Sequence, residues 1–181
     1  MRLEDFLPGV PDFPKPGILF RDISPLLANA DAFATAIQGM GQLTQAYPFT
    51  HILGIESRGF IFAAALANHL NKGLVLVRKP NKLPPETHRE SYGLEYGNDA
   101  LEISTNVLGA NDSVLVVDDV LATGGTIMAA RQLIGRTGAK VSGAICLLEI
   151  AGLEGAERLA GLEGAERLRN AGVSNQCLLK M

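Results

Sequence analysis

Asp118 and Asp119 stand between an apolar run, Val114-Leu115-Val116-Val117, and a turn of small and hydroxyl-bearing residues, Ala122-Thr123-Gly124-Gly125-Thr126. The run is rich in β-branched residues and reads as a buried strand over 114–117, with the carboxylates where it ends. Apolar residues then return at helical spacing through Ile127, Ala130 and Ile134. Strand, acidic pair, glycine turn and helix start together form a sugar-phosphate site. Backbone N–H groups of the turn and the positive end of the helix can hold a phosphate. The carboxylates can accept hydrogen bonds from sugar hydroxyls or help to hold a metal. Two commoner phosphate loops do not fit. No lysine follows Gly124-Gly125, as a Walker loop requires, and Thr123-Gly124-Gly125-Thr126 lacks the Gly-x-Gly-x-x-Gly of a dinucleotide site. The plainer alternative is a tight strand-to-helix connection with an incidental acidic pair. Against it, two carboxylates after a buried strand need some partner for their charge.

The elements that must carry this turn are legible as a coarse pattern. Four prolines and two glycines between Pro8 and Gly17 forbid a helix there and predict an extended N-terminal segment wrapped over the domain. Asp31 is a candidate N-cap for a helix with Phe33, Ile37, Met40 and Leu43 on one face. Strands are expected at 51–55, 73–77, 114–117 and 141–148, with a helix over 60–70. Strands alternating with helices predict βαβ units and a mostly parallel sheet, whose ligands gather at the carboxyl ends of the strands. Three of those ends carry polar clusters: Glu56-Ser57-Arg58, Arg78-Lys79 and Asp118-Asp119. One composite site is the economical reading.

A length of 181 residues is suited to one domain with a sizeable core. The net charge of -3 lacks the electrostatic footprint of a nucleic-acid binder. No apolar window is long enough to span a membrane, and the N-terminus does not read as a signal peptide, so a cytoplasmic location is the expectation. Cys146 and Cys177 fit no metal or redox spacing, and His51, His69 and His88 fit no metal or triad spacing. Residues 79–98 are polar and proline-bearing, either a functional loop or a solvated excursion.

Further blocks carry a resemblance. The turn is similar to the phosphoribosyl-pyrophosphate (PRPP) signature of type I phosphoribosyltransferases. The segment Phe13-Pro14-Lys15-Pro16-Gly17-Ile18-Leu19-Phe20-Arg21-Asp22-Ile23-Ser24-Pro25 resembles the N-terminal segment of the adenine phosphoribosyltransferases within that family. Gly54-Ile55-Glu56-Ser57-Arg58-Gly59-Phe60 and Arg78-Lys79-Pro80-Asn81-Lys82-Leu83-Pro84 match two further blocks, and Glu90-Ser91-Tyr92-Gly93-Leu94-Glu95-Tyr96-Gly97 resembles the mobile hood loop. These blocks keep the family order from about residue 10 to about 150.

The resemblance implies an α/β type I phosphoribosyltransferase fold over residues 1–181. Its five-stranded parallel core sheet is flanked by helices, and a small hood is made by the N-terminal segment and loop 79–101. It implies purine salvage: transfer of the phosphoribosyl group of PRPP to adenine, giving AMP and pyrophosphate. Magnesium would be held mainly by PRPP and pyrophosphate oxygens, with no protein ligand, and the chain would form a homodimer. Ala122, Thr123, Gly124, Gly125 and Thr126 would cradle the 5′-phosphate. Asp118 and Asp119 would contact the ribose hydroxyls and favour the cation that develops at C1′. Arg58 would grip pyrophosphate, with Arg78, Lys79 and Lys82 adding charge. Glu95 is nominated as the base that takes a proton from adenine. Leu19, Phe20, Arg21 and Tyr96 would contact the substrates. Plainer roles stand beside these: a surface ion pair for Arg58, a hairpin charge for Glu95, and solvated side chains for Arg78, Lys79 and Lys82.

Two rival functions remain to be weighed. A phosphoribosyltransferase for a 6-oxopurine is opposed by the Phe-Arg-Asp-Ile-Ser-Pro block. A non-catalytic PRPP-binding regulator of nucleic acid has no room here for a basic DNA-binding module. One oddity is left: Ala-Gly-Leu-Glu-Gly-Ala-Glu-Arg-Leu at 151–159 recurs letter for letter at 160–168. Nine helical residues turn through about 900°, so a continuous helix would present the copies on opposite faces. One copy is expected to pack and the other to bulge or fray, with no functional role for the duplication.

Overall fold

The computed structural model describes residues 1–92, 99–150 and 164–181. Its central sheet has five parallel strands in the order β4-β3-β7-β8-β9, where β3 is His51–Ile55, β4 Gly73–Val77, β7 Ser113–Leu121, β8 Lys140–Glu149 and β9 Asn175–Lys180. Period-two alternation splits the apolar residues of each inner strand between two cores. Val114 and Val116 of β7 face one core, Leu115 and Val117 the other. The first core is closed by α4 (Gly125–Arg136) and α5 (Gly164–Asn170), through Ile127, Ala130, Leu133, Ile134 and Leu168. The second is closed by α1 (Ser24–Ala28), α2 (Ala30–Leu43) and α3 (Gly59–Leu70), with Met40, Phe62 and Leu66 fully buried.

Two small antiparallel hairpins stand on this frame: β1 (Gly9–Pro11) with β2 (Leu19–Arg21), and β5 (Thr87–Ser91) with β6 (Ala100–Ser104). The first corrects the expectation of an extended wrapping segment. The chain reverses because Asp12 adopts a positive φ of 56° and its carboxylate accepts the Gly17 N–H at 2.8 Å. The second hairpin is pinned to α4, since Arg136 donates to the Arg89 carbonyl at 2.6 Å and to the Glu90 carboxylate.

Three local readings change. The cap of α2 is Asn29, whose side chain accepts the Ala32 N–H at 2.9 Å, so Asp31 falls in the first turn. There it still complements the helix dipole. Strand β7 runs on to Leu121, so the acidic pair lies inside the strand, with Asp118 opposite Cys146 in the ladder. Val120 and Leu121 resume the apolar pattern and keep the ladder going past the charges. The edge strand β9 was hidden, because its half-buried residues carry only a weak alternation.

Asn29→Ala should remove one capping bond from α2 and lower unfolding free energy by about 1 kcal/mol. Urea denaturation checks this, with the slope against denaturant unchanged.

Candidate active site

The carboxyl ends of β3, β4 and β7 bring the three polar clusters together. Within β7 the acidic pair is buried, Asp118 at 8% and Asp119 at 5% exposure. Asp118 Oδ1 accepts the Asp119 N–H at 2.9 Å, and its Oδ2 accepts the Thr126 hydroxyl at 3.4 Å. Arg58, just before α3, places Nε 2.9 Å from Asp119 Oδ2. The contact lacks hydrogen-bond alignment: among the described residues, Asp119 Oδ2 and Arg58 Nη1 are both buried without a hydrogen-bond partner. Unsatisfied buried groups of opposite sign, side by side, are costly and mark a place for a ligand. The Phe20 ring of β2 lies 4.9 Å from the Arg58 guanidinium, which brings the first hairpin to the same spot.

Burial, above all, and then the charge of Asp119 push the Asp118 carboxyl well above the usual range. Burial raises Asp119 too, opposed by the Arg58 guanidinium. Both observations describe one pair whose charge is only partly neutralised in the free protein.

A second cluster forms around Glu56. Its carboxylate accepts the Lys79 N–H at 2.8 Å and Arg78 Nε at 3.3 Å. Burial would raise the Glu56 carboxyl, but these two donors outweigh it and hold the group below its ordinary value. Arg78 also donates to the Lys82 carbonyl at 3.1 Å, so the segment carrying all three cations folds back on the end of β3. The ammonium groups of Lys79 and Lys82 carry no ion pair among the described residues.

The glycine turn has the form an anion needs. Gly124 caps α4 with φ 76°, a conformation that glycine adopts without strain, and the first turn of α4 begins at once with Gly125 and Thr126. Close packing supports it from behind. Gly164 donates to the Ala122 carbonyl at 2.8 Å, and a Cβ at Gly164 would sit 2.3 Å from that oxygen. The end of the second copy of the nonapeptide, Gly164 to Leu168, thus buttresses the turn. The first copy lies outside the described residues, as do Glu95 and Tyr96.

Other expected contacts are placed less centrally. Leu19 is 54% exposed. The Arg21 side chain turns back to the Leu7 carbonyl at 3.4 Å, tying the hairpin to the N-terminus. Glu56 and Gly59 are residues the sequence did not place in the site, while Tyr92 was expected only to pack against the substrates. Gly59 lets α3 approach so closely that a Cβ there would meet Asp118 Oδ1 at 2.8 Å. Tyr92 closes the base of the β5–β6 hairpin by donating its N–H to the Asp99 carbonyl at 2.9 Å, and its ring packs beside Gly125. Burial first, then Asp99 and Asp118, raise its phenol. Glu56 had a signal in its strand-end cluster, and Gly59 and Tyr92 lay within the blocks that carry the family resemblance.

The family model for the phosphoribosyl transferase domain matches residues 25–162. The chain belongs to the adenine phosphoribosyltransferases. It is 63% identical over 159 residues to the adenine phosphoribosyltransferase of Polynucleobacter asymbioticus, covering 88% of this chain and 92% of that one. The crystal structure of the Thermoanaerobacter pseudethanolicus adenine phosphoribosyltransferase superposes with a TM-score of 0.88 at 40% identity, over 99% of this chain and all of that one. The Saccharomyces cerevisiae enzyme, complexed with an imino-altritol bisphosphate and adenine, gives a TM-score of 0.83 at 34% identity, covering 98% of this chain and 96% of that one. The type I phosphoribosyltransferase fold expected from the sequence is the fold observed, a five-stranded parallel sheet flanked by helices.

Because both carboxyls are raised by folding, the folded protein binds more protons than the unfolded chain above the ordinary carboxylate range. Stability contributed by the pair is therefore lost as pH rises through that window toward the raised values. Asp118→Asn should raise the thermal midpoint of the ligand-free protein at pH 7 and flatten its decline between pH 4 and 7, followed by calorimetry.

Proposed function

We propose that the protein transfers the phosphoribosyl group of PRPP to adenine, releasing AMP and pyrophosphate, as a purine-salvage enzyme. The observation that carries this reading is the unbonded pair of buried atoms, Arg58 Nη1 and Asp119 Oδ2, beside an anion-receptive turn. A diphosphorylated sugar supplies a partner to each: pyrophosphate oxygens to the guanidinium and ribose hydroxyls to the carboxylate.

The roles in this reading are as follows. Backbone N–H groups from Ala122 to Thr126 and the start of α4 take the 5′-phosphate. Adenine's ring nitrogen forms a bond to C1′ as the bond from C1′ to pyrophosphate breaks, and positive charge develops on the sugar. Asp118 and Asp119 meet that charge from a dry site. The burial that makes their charge costly in the free protein makes it most effective in the transition state. Arg58 shifts from its misaligned contact with Asp119 to the leaving pyrophosphate, where Lys79 and Lys82 add charge and Arg78, held by Glu56, orders the segment. Glu95 takes the proton that adenine loses, a role supported by the family resemblance alone. Phe20, beneath Arg58, and Leu19 offer apolar surface to the purine, and Arg21 and Tyr96 complete the substrate contacts.

Among the described residues no cluster of three metal-ligating side chains occurs. Magnesium would be carried mainly by PRPP and pyrophosphate oxygens and by water, with no protein ligand assigned. Bound there, magnesium would neutralise charge on the departing pyrophosphate. We further read residues 1–181 as one domain acting as a homodimer in the cytoplasm. The absence of a long apolar helix among the described residues accords with that location.

Incubation with PRPP and magnesium should yield AMP from adenine, and little or no nucleotide from hypoxanthine, guanine or orotate. Failure to form AMP overturns the reading. Glu95→Gln should lower kcat by about 10²- to 10⁴-fold with little change in the KM for PRPP, as expected for loss of a general base. Unchanged turnover would remove Glu95 from that role.

A further inference from the structure

The amino ends of the strands, opposite the acidic pair, hold a cleft that the transfer reaction leaves unused. It has a volume of about 350 Å³ and is lined by Arg131 of α4, Lys140 and Ser142 of β8, and Gly172 and Ser174 before β9. Lys140 lies six positions along β8 from Cys146, the ladder partner of Asp118, which is about 20 Å of strand. The two sites are therefore separate.

Three features make this cleft receptive to an anion. First, neither Arg131 nor Lys140 has a carboxylate within ion-pairing distance among the described residues, on a chain whose net charge is -3. The carboxylate nearest in the chain's turns is already engaged. Asp112, whose carbonyl accepts the Lys140 N–H, gives its side chain to the Gly109 N–H at 2.9 Å and to His51 at 3.3 Å. Second, β8 is bulged at this point: Val114 pairs with Val141 and Leu115 with Gly143, leaving Ser142 as the extra residue in the wall of the cleft. Bulges commonly re-aim backbone and side chains at functional sites. Third, the wall is kept open by glycine. A Cβ at Gly135 or Gly172 would meet nothing within 4 Å among the described residues, so the wall of the cleft is open at both positions. A volume of this size lies within the range of small-molecule sites.

We propose that this cleft is a second anion site, which takes the phosphate group of a small phosphorylated ligand between Arg131 and Lys140. The guanidinium supplies a forked pair of donors, the ammonium a point charge, and the Ser174 hydroxyl a further donor. The site does not depend on the assignment of the transfer reaction.

The test is a titration of the full-length protein with inorganic phosphate and, separately, with AMP, followed by amide ¹H–¹⁵N shifts. Gly143, Gly172 and Ser174 should shift saturably with phosphate, along a curve distinct from that of Gly124, Gly125 and Thr126. In an R131Q/K140Q double variant the cleft amides should need at least about tenfold more phosphate, as expected from losing two charge-assisted contacts. The phosphate-turn amides and the rate of AMP synthesis should stay as in the parent, which also shows that the variant is folded. K140Q alone, at an exposed position, should weaken binding by a smaller factor. Saturation at lower AMP than phosphate concentration identifies a nucleotide as the ligand, and equal midpoints identify the anion alone. Absence of a saturable shift at the cleft amides, or equal midpoints in parent and double variant, overturns the proposal.

Discussion

Placing two adjacent carboxylates inside a β-strand sets the terms for everything around them. Each charge buried away from water is expensive unless something answers it. Here the answer is deliberately incomplete. Asp118 is held by a backbone N–H and a threonine hydroxyl, while Asp119 faces a single guanidinium in a contact that is close but misaligned. The free protein thus carries residual charge in a dry place, which a cationic transition state would relieve. Stability is given up where the chemistry is done.

That arrangement requires backbone to come close to the pair from several sides, and glycine is what permits it. Gly59 admits α3 to the edge of Asp118, Gly124 allows the left-handed turn into α4, and Gly164 brings α5 against the Ala122 carbonyl. The third contact gives the duplicated nonapeptide a consequence. Its two copies have the same residues, yet the described part of the second copy is seated behind the phosphate turn, where Leu168 joins the core.

The hood is tied to the same frame by charged contacts as well as by apolar packing, since Leu101 and Ile103 of β6 are buried in the first core. Glu56 links the ends of β3 and β4, Arg136 fastens β5 to α4, and Arg58 rests on Phe20 of the first hairpin. Both hairpins therefore take their positions from elements that also form the site. A helix such as α4 contributes to three places at once: its first turn follows the glycine turn, its last residue holds the second hairpin, and Arg131 between them borders the second cleft.

By itself the sequence determined the class of chemistry and most of the scaffold. Strong local signals were enough for four of the five sheet strands, β3, β4, β7 and β8, the helix after Ser57-Arg58 and the glycine turn, because period, β-branching and glycine placement act over a few residues. The motifs at three strand ends located the site, since a parallel sheet must gather those ends on one side. What only the tertiary structure decided depended on partners distant in the chain. The Asn29 cap, the reversal at Asp12 and the continuation of β7 through its acidic pair turned on hydrogen bonds and ladder partners that no window reveals. The roles of Glu56, Gly59 and Gly164 came from approaches of other segments, and the weakly patterned β9 became a strand because β8 offered it an edge. Local physics wrote the residues that do chemistry, and long-range packing chose which of their charges would be left unanswered.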